Sequence, residues 1–214
     1  MTTPDKITAN PDINRWNKKY AGPSVDGTQV EQQIDPKGED ELVALSHYLD
    51  SDFSATPKTA LEVASGKGRN ALYLASLGYR VVAVDCALNG LAPGQASARR
   101  LGLPMDSIAC DLEICQFPDH HFDLVSVVRY LKRPLFQSIS TWVRPGGLLF
   151  YKTFNRNHLL NHPTFNPGYV VEPGELNVAF PEFDILATDY RCGEQSAAGT
   201  SFILGRKKRS QENR

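Results

Sequence analysis

The sequence has no long hydrophobic run and no excess of charge of either sign. No apolar stretch approaches the ~18 residues that a membrane-spanning helix needs, which argues against a transmembrane protein. The first ten residues are polar and do not have the apolar core of a secretory signal. The 23 basic and 24 acidic residues give a formal net charge of −1, without the basic excess typical of nucleic-acid-binding domains. We therefore expect neither a membrane nor a nucleic-acid partner.

Cysteine and recognisable metal ligands are also scarce. The four cysteines are Cys86, Cys110, Cys115 and Cys192. They include no CxxC pair, and a chain of 214 residues can build a core without disulfides. We expect reduced thiols and a cytoplasmic location. His158 and His162 have the spacing of a metal-binding pair but lie in a loop rich in Asn and Pro without a clear third ligand, so we predict no metal site.

From about residue 60, short apolar runs alternate with helical patterns. Such an alternation is typical of an α/β fold with a parallel sheet covered on both faces. We expect a flexible N-terminus over 1–11, a single domain over 12–206 and a basic flexible tail over 207–214. The predicted strands cover 60–64, 80–85, 107–111, 122–128, 148–152, 183–191 and 200–205, and the predicted helices cover 12–20, 40–50, 69–77, 88–101, 134–143 and 174–180. The last two strands would pair as an antiparallel hairpin, and residues 21–37 would form a loop.

A glycine turn follows the first of the sheet strands. Gly66 and Gly68 allow a ligand to approach the backbone, because no Cβ stands in the way. The segment from Gly66 to Ala71 also fits the G-x-G-x-x-A fingerprint of dinucleotide-binding domains. An NAD(P)-binding Rossmann oxidoreductase is therefore one of the functions that the turn permits.

Three acidic residues, Glu62, Asp85 and Asp111, lie at or near the carboxyl ends of consecutive predicted strands. That edge is where open α/β sheets bind their ligands. Glu62 would repel a pyrophosphate, but it suits S-adenosylmethionine (SAM), which carries a sulfonium and an ammonium group against one carboxylate. Asp85 could accept both ribose hydroxyls, as in NAD enzymes, and Asp111 could accept the adenine amino group. The three acids together favour SAM.

Residues 61–74, LEVASGKGRNALYL, resemble the first motif of class I SAM-dependent methyltransferases. The stretch is most similar to tellurite-resistance methyltransferases, which share a G-x-G-R-N sequence. Weaker matches occur in the right order, so that the resemblance extends from about residue 14 to residue 208; they are Arg15-Trp16-Asn17, Asp111-Leu112-Glu113, Phe122-Asp123-Leu124, Arg129-Tyr130-Leu131, Pro145-Gly146-Gly147 and Gly174-Glu175-Leu176. The resemblance implies a Rossmann-like three-layer αβα sandwich with a mostly parallel seven-stranded sheet and an antiparallel C-terminal hairpin strand. It also implies SAM as the methyl donor.

Three positions depart from the family pattern. Ala64 and Ser65 stand where many of these enzymes have glycine or cysteine; alanine should fit, and the Ser65 hydroxyl could bond the SAM carboxylate. Lys152 stands where we would expect an acid. The cofactor-binding residues predicted from strand ends and resemblance are Glu62, Ala64, Ser65, Gly66, Gly68, Arg69, Asn70, Asp85, Cys86, Asp111, Leu112 and Arg129.

The acceptor side of the site is predicted less sharply. Its candidates follow the fourth and fifth sheet strands, and they are Arg129, Tyr130, Arg133, Lys152, Thr153 and Arg156. Their positive charge would suit an anionic acceptor such as an oxyanion. No catalytic base is assigned, because a base is needed only if the nucleophile must lose a proton. Trp16 and Tyr20 either close over SAM or pack on the core.

The sequence therefore predicts a SAM-dependent methyltransferase that acts on a small molecule. Two alternatives stay open: the NAD(P)-binding oxidoreductase, and a non-catalytic SAM-binding adaptor protein with the same fold. The identity of the acceptor and the oligomeric state are not predicted.

Overall fold

The structure is a computed structural model that describes residues 11–21, 24–25, 28–29, 32–49, 57–190 and 197–209. The chain forms two compact units, Met1–Gln116 and Phe117–Arg214. Residues 1–10 of the predicted flexible N-terminus 1–11, residues 210–214 of the predicted tail 207–214, part of the predicted loop 21–37, and Cys192 lie outside the described residues. Within the described residues, no helix is both long enough and apolar enough to cross a membrane.

The first unit contains three parallel strands and the helices that connect them. Its elements are α1 Pro11–Tyr20, β1 Ser24–Val25, β2 Thr28–Gln29, α2 Asp40–Ala44, α3 Ser46–Leu49, β3 Thr59–Val63, α4 Arg69–Ser76, β4 Arg80–Asp85, α5 Leu88–Leu101 and β5 Met105–Ala109. Strand β4 lies between β3 and β5 and pairs with both in parallel. Four of the five β3 residues are buried, as expected for a strand covered on both faces. Helix α5 ends at Gly102, whose φ of +66° is the left-handed conformation that favours glycine.

The second unit contains four strands of mixed direction. Its elements are β6 Phe122–Val128, α6 Phe136–Trp142, β7 Val143–Phe154, α7 His158–Asn161, α8 Glu175–Ala179, β8 Phe183–Thr188 and β9 Thr200–Lys207, with short 3-10 turns at Arg133–Leu135 and Pro167–Tyr169. Strands β6 and β7 are parallel, and β9 runs antiparallel to both β7 and β8. The predicted closing hairpin is therefore present.

The seven strands β3–β9 form one sheet with the order β5-β4-β3-β6-β7-β9-β8. The predicted fold class, a Rossmann-like α/β fold with a mostly parallel seven-stranded sheet and an antiparallel C-terminal strand, is confirmed. The predicted bounds of β4, β6 and α5 agree with the structure residue for residue.

Other segments differ from the prediction. Strand β7 begins at Val143 and not at Leu148, because the strand continues through Pro145, Gly146 and Gly147 with a register shift against β6. Strand β5 ends at Ala109, two residues before Asp111. The predicted helix 40–50 is split at Leu45 into α2 and α3.

The end of β9 also departs from the sequence prediction. Lys207 belongs to the strand rather than to a solvated tail, and it is 8% exposed. Its ammonium donates hydrogen bonds to the carbonyl oxygens of Ser140 at 2.7 Å and Val143 at 3.0 Å. These carbonyls lie at the end of α6, where a cation compensates the helix dipole.

Candidate functional site

The predicted cofactor residues of the first unit lie around the carboxyl ends of its three parallel strands. In the sheet register, Val63 is opposite Val84 and Asp85 is opposite Ala109. The turn of residues 64–68, here called the glycine loop, leaves β3 beside the end of β4. Its first hydrogen bond to β4 runs from the Ser65 amide to the Val84 carbonyl at 2.8 Å.

Asp85 links the end of β4 to the glycine loop. One carboxylate oxygen accepts the Gly66 amide at 2.8 Å, and the other accepts the Ala87 amide at 2.8 Å. The side chain is buried, and this burial raises the pKa of Asp85 even though the backbone hydrogen bonds oppose the shift. The sequence analysis predicted only ligand groups as partners of the Asp85 carboxylate. The structure shows a second role, because this carboxylate also holds the glycine loop.

The glycine loop is tightly wound. Ala64, Gly66 and Gly68 all have positive φ, at +54°, +56° and +78°. Such a φ costs a non-glycine residue about 1–2 kcal/mol, so Ala64 does not fit as freely as the sequence interpretation assumed. The Ser65 hydroxyl is buried, and it has no hydrogen-bond partner within the part of the chain that the structure describes. A ligand that offers an acceptor at this loop would satisfy it.

Helix α1 covers the glycine loop with Tyr20. A Cβ placed on Gly66 would lie 2.8 Å from the Tyr20 hydroxyl oxygen, and one on Gly90 would lie 3.0 Å from the Tyr20 ring. Burial raises the pKa of Tyr20, and the negative charge of the nearby Asp85 adds to the shift. A Cβ at either position would therefore require Tyr20 to shift.

The same helix is anchored to α5 by a pair of asparagines. The Asn17 side chain accepts the Asn89 amide at 3.1 Å, and the Asn89 side chain donates to the Asn17 carbonyl at 3.1 Å. Trp16 stacks on Tyr20 with ring centroids 5.9 Å apart. The sequence analysis kept two alternatives for these aromatic residues, closing over SAM or packing on the core, and did not include Tyr20 among the site residues. Helical spacing alone gave no signal that Tyr20 contacts Gly66.

Arg69 and Asn70, at the start of α4, bind protein groups. The Asn70 side chain donates to Glu62 at 3.3 Å and accepts the Glu39 amide at 2.9 Å. The Arg69 guanidinium pairs with the Glu39 carboxylate at 2.6 Å. Glu62 and Glu39 are both buried, so this network fixes the segment before α2 against β3 and α4. Glu39 was not among the residues predicted from the sequence. It is far from Arg69 and Asn70 along the chain, and no local pattern connects it with them.

Cys86 follows Asp85 and carries the free thiol of the described residues. Burial and the Asp85 charge raise its pKa to about 12. The thiol is therefore protonated at neutral pH, which argues against a nucleophilic role.

The predicted adenine-side residues lie in the loop that follows β5. The Asp111 carboxylate accepts the Glu113 amide at 3.0 Å, and Leu112 is buried. Cys110 and Cys115 form a disulfide across this loop. The expectation of four reduced thiols is wrong for this pair, because the turn between them brings their Cα atoms to 6.2 Å.

The predicted acceptor-side residues all belong to the second unit. Arg129 is exposed at the end of β6, and its amide donates to the Lys152 carbonyl at 2.8 Å. The Tyr130 carbonyl accepts the Tyr151 hydroxyl at 2.9 Å. Lys152 and Thr153 are buried in β7, so Lys152 does not present the exposed cation that the sequence suggested. Arg129 is thus the one predicted cofactor residue that belongs to the second unit.

The other two acceptor-side arginines are paired with acids. Arg133 forms two hydrogen bonds with Glu175, at 2.6 and 2.8 Å, and it also donates to the carbonyls of Gly168 and Val170. Arg156 pairs with Glu172. His158 and His162 stack on each other with ring centroids 4.3 Å apart.

Comparison with known proteins identifies the region that contains this site. The family model described as "Methyltransferase domain" matches residues 60–147, from β3 into β7. Residues 60–147, which are less than half of the chain, are thus similar to a methyltransferase domain. S-adenosylmethionine is the cofactor that this similarity supports.

The relatives of the methyltransferase domain agree with this identification. A ubiquinone biosynthesis O-methyltransferase from Chromobacterium violaceum is 30% identical over 117 residues, which are 51% of this chain and 50% of the relative. The chain thus spans about half the length of this curated relative. Among solved structures, TehB from Haemophilus influenzae is similar with a TM-score of 0.63 and 16% identity, covering 79% of this chain and 62% of TehB. Geranyl diphosphate C-methyltransferase from Streptomyces coelicolor has a TM-score of 0.64 and 14% identity, covering 94% and 99%. These structural likenesses show the fold.

The residues of the glycine loop fit SAM. The buried Ser65 hydroxyl needs an acceptor, and Gly66 and Gly68 leave the backbone open. The Asp85 carboxylate lies at the end of β4 beside this loop and accepts the amides of Gly66 and Ala87.

Proposed function

We propose that this protein transfers a methyl group from SAM to a small-molecule acceptor, with the cofactor bound at the glycine loop of the first unit. The hydrogen bond from the Gly66 amide to Asp85 is the observation that carries the proposal. It joins the glycine loop to the acid that ends the next strand, and these are the two elements on which binding of an adenosine-type ligand depends.

Each side chain has a defined part in this proposal. Ser65 donates to the carboxylate of the cofactor, Asp85 accepts ribose hydroxyls, and Asp111 accepts the adenine amino group. Tyr20 excludes water from the loop. Bound SAM supplies an electrophilic methyl group on its sulfonium, and what the protein adds is alignment of the acceptor and exclusion of water.

The acceptor belongs to one of two classes, oxyanions or hydroxyl-bearing small molecules. The resemblance to tellurite-resistance methyltransferases and the cationic candidates favoured an anionic acceptor such as an oxyanion. The pairing of Arg133 with Glu175 and of Arg156 with Glu172 weakens that argument, because their charges are already compensated. The relatives named as ubiquinone biosynthesis O-methyltransferases favour a hydroxyl-bearing small molecule instead. We propose the hydroxyl-bearing class and keep the oxyanion as the alternative.

Binding and turnover measurements test the function in two stages. Calorimetry with SAM, S-adenosylhomocysteine and NADH decides the ligand: we expect heat with the first two and none with NADH. Heat with NADH alone would support the oxidoreductase alternative. Release of S-adenosylhomocysteine is then followed with hydroxyl-bearing acceptors and with tellurite. Binding without turnover on any acceptor would favour the non-catalytic adaptor protein.

The cellular setting also belongs to this proposal. We propose a cytoplasmic protein that acts without membrane or nucleic-acid partners. Fractionation of cells that express the full chain tests the location.

A further inference from the structure

The loop that follows β5 contains a pair of cysteines on either side of Asp111. We call residues 110–115 the Asp111 loop. Cys110 and Cys115 form its disulfide, with Cα atoms 6.2 Å apart. Cys110 is buried, Cys115 is half-buried, and Glu113 and Ile114 between them are exposed. The pair therefore lies at the surface, within reach of a small reagent.

The Asp111 loop is anchored at one end to the cofactor site. The Cys110 amide donates to the carbonyl of Asp85 at 3.0 Å. At the other end, the Cys115 amide donates to the Asp111 carbonyl at 2.9 Å, and the Glu113 amide donates to the Asp111 carboxylate at 3.0 Å. The disulfide ties the far end of the loop to the anchored residue Cys110.

Loss of the disulfide would remove the covalent link, while the buried Leu112 side chain would stay together with those hydrogen bonds and that of the Ile114 amide to the Asp111 carbonyl. Several of them involve exposed residues, where water competes for the same groups, so each contributes little. The reduced loop would sample more conformations. The Asp111 carboxylate would then have to be ordered when a ligand binds, at a cost in affinity.

We propose that Cys110 and Cys115 form a reversible thiol–disulfide site, which a low-molecular-weight disulfide oxidises and a low-molecular-weight thiol reduces. Oxidation fixes Asp111 in its ligand-binding position and tightens cofactor binding. This second part rests on the proposed function, because it takes Asp111 as the adenine-side acid. In a cytoplasm-like compartment, disulfides are transient and regulatory rather than permanent.

The chemistry balances as two exchange steps. The more exposed Cys115, as thiolate, attacks one sulfur of the small disulfide; the S–S bond breaks and one small thiol leaves. The Cys110 thiolate then attacks the Cys115 sulfur of the mixed disulfide, and the second small thiol leaves. Two cysteine thiols are oxidised, one small disulfide is reduced to two thiols, and the protons lost by the cysteines pass to the leaving thiolates. Cys86 takes no part, because its raised pKa keeps that thiol protonated.

Linkage gives a quantitative expectation. If the oxidised form binds S-adenosylhomocysteine about tenfold more tightly, the bound ligand favours the disulfide by the same factor. For a two-electron couple, a tenfold factor corresponds to about 30 mV in the reduction potential. Bound ligand should therefore lower the reduction potential of the pair by about 30 mV.

The experiment uses the full chain equilibrated in mixtures of reduced and oxidised glutathione. The fraction of disulfide is measured by thiol alkylation and mass spectrometry, with and without saturating S-adenosylhomocysteine. Calorimetry measures the dissociation constant of the same ligand for the oxidised and the reduced protein. A variant with Cys192→Ser retains the pair and should behave like the parent. A variant with Cys110→Ser and Cys115→Ser should bind like the reduced parent under every condition.

The outcomes separate this proposal from the proposed function. Equal affinities in the two redox states, or a pair that glutathione disulfide does not oxidise, would overturn the redox site while leaving the methyltransferase proposal intact. Failure of both forms to bind S-adenosylhomocysteine would overturn the proposed function and, with it, the link to Asp111. Circular dichroism reports whether the variant with Cys110→Ser and Cys115→Ser folds. If it does not fold, the reduction potential of the cysteine pair in the parent, measured with and without ligand, decides the question.

Discussion

The strand-end acids of the first compact unit and the candidate residues Arg133 and Arg156 of the second lie in different environments. In the first, the buried Asp85 carboxylate accepts two backbone amides, and the buried Glu62 carboxylate accepts the Asn70 side chain. In the second, the candidate residues Arg133 and Arg156 pair with carboxylates at the surface. The first arrangement fixes backbone that a ligand can use, and the second compensates charges that a ligand would otherwise meet.

This comparison shows which kind of site residue can be predicted from the order of strands and helices along the chain. An acid at the end of a parallel strand is carried to the ligand edge by the sheet itself. An arginine after a strand can turn to any acid within reach of its long side chain, and the acids here are 42 residues away for Arg133 and 16 for Arg156. Strand-end acids are thus better evidence of function than loop cations.

Asp85→Ala should produce the largest effect and test whether the first unit depends on its buried acid. The variant leaves the amides of Gly66 and Ala87 without their acceptor, at about 1–3 kcal/mol each. We expect a loss of about 3 kcal/mol in the free energy of unfolding, together with at least tenfold weaker SAM binding. This is more than the change of under ~1 kcal/mol usual for a side chain outside the core.

Urea denaturation and calorimetry measure the two effects of the Asp85 substitution. Asp106→Ala removes an exposed carboxylate from the neighbouring strand β5 and should change neither quantity. An Asp85→Ala variant as stable as the parent would mean that water takes over both amides and that the carboxylate does not hold the loop.

Gly66→Ala tests the close approach between the glycine loop and α1. The matched control is Gly102→Ala: both glycines have positive φ, but a Cβ at Gly102 has nothing within 4 Å. The conformational cost of about 1–2 kcal/mol is common to both, so Gly66→Ala should lose roughly 1 kcal/mol more by its collision with Tyr20.

Tyr20→Phe should restore part of the stability of Gly66→Ala, because it removes the atom nearest to the new methyl group. The measurements are chemical denaturation and the affinity for S-adenosylhomocysteine, which should fall at least tenfold in Gly66→Ala alone. Equal losses in the two glycine variants would show that Tyr20 does not contact the loop in solution.

Substitution of the paired arginines in the second unit should have a smaller effect. Arg133→Gln breaks a two-pronged contact with Glu175 and two carbonyl contacts, and we expect a loss of about 1 kcal/mol after allowance for its partial exposure. Arg156→Gln, on an exposed pair, should not change stability measurably. If either variant raises KM for an oxyanion acceptor tenfold without changing kcat, the anionic acceptor class regains support and the contrast between the units fails.

Ala64→Gly should give a small effect of the opposite sign. Glycine removes the cost of φ +54° but adds backbone entropy to the unfolded chain, so the net gain should be about 0.5 kcal/mol. Ala60→Gly, in the ordinary backbone of β3, should instead be destabilising by about 1 kcal/mol. Thermal denaturation of the two variants gives the comparison; a destabilised Ala64→Gly would mean that the loop backbone relaxes differently.

Elements bounded by strong local signals could be predicted closely. Strand β4 is an apolar run between Arg80 and Asp85, and helix α5 stops at Gly102, so each end is set by its own residues. Strand β7 was predicted too short, because Val143 pairs with Phe122 of β6 ahead of a register shift, and regular pairing with β6 and with β9 runs from Leu148. The ladder hydrogen bonds that decide this come from residues elsewhere in the chain, which a local pattern does not include.

The sequence by itself determined the order of strands and helices, the glycine loop and the acids at the strand ends, because each depends on residues close together in the chain. Only the tertiary structure decided what those acids bind, that Tyr20 covers Gly66, that Cys110 and Cys115 pair, and that Arg133 and Arg156 are compensated. Side-chain contacts have short range, so they depend on the position of each side chain in three dimensions. The order of residues along the chain does not specify these positions.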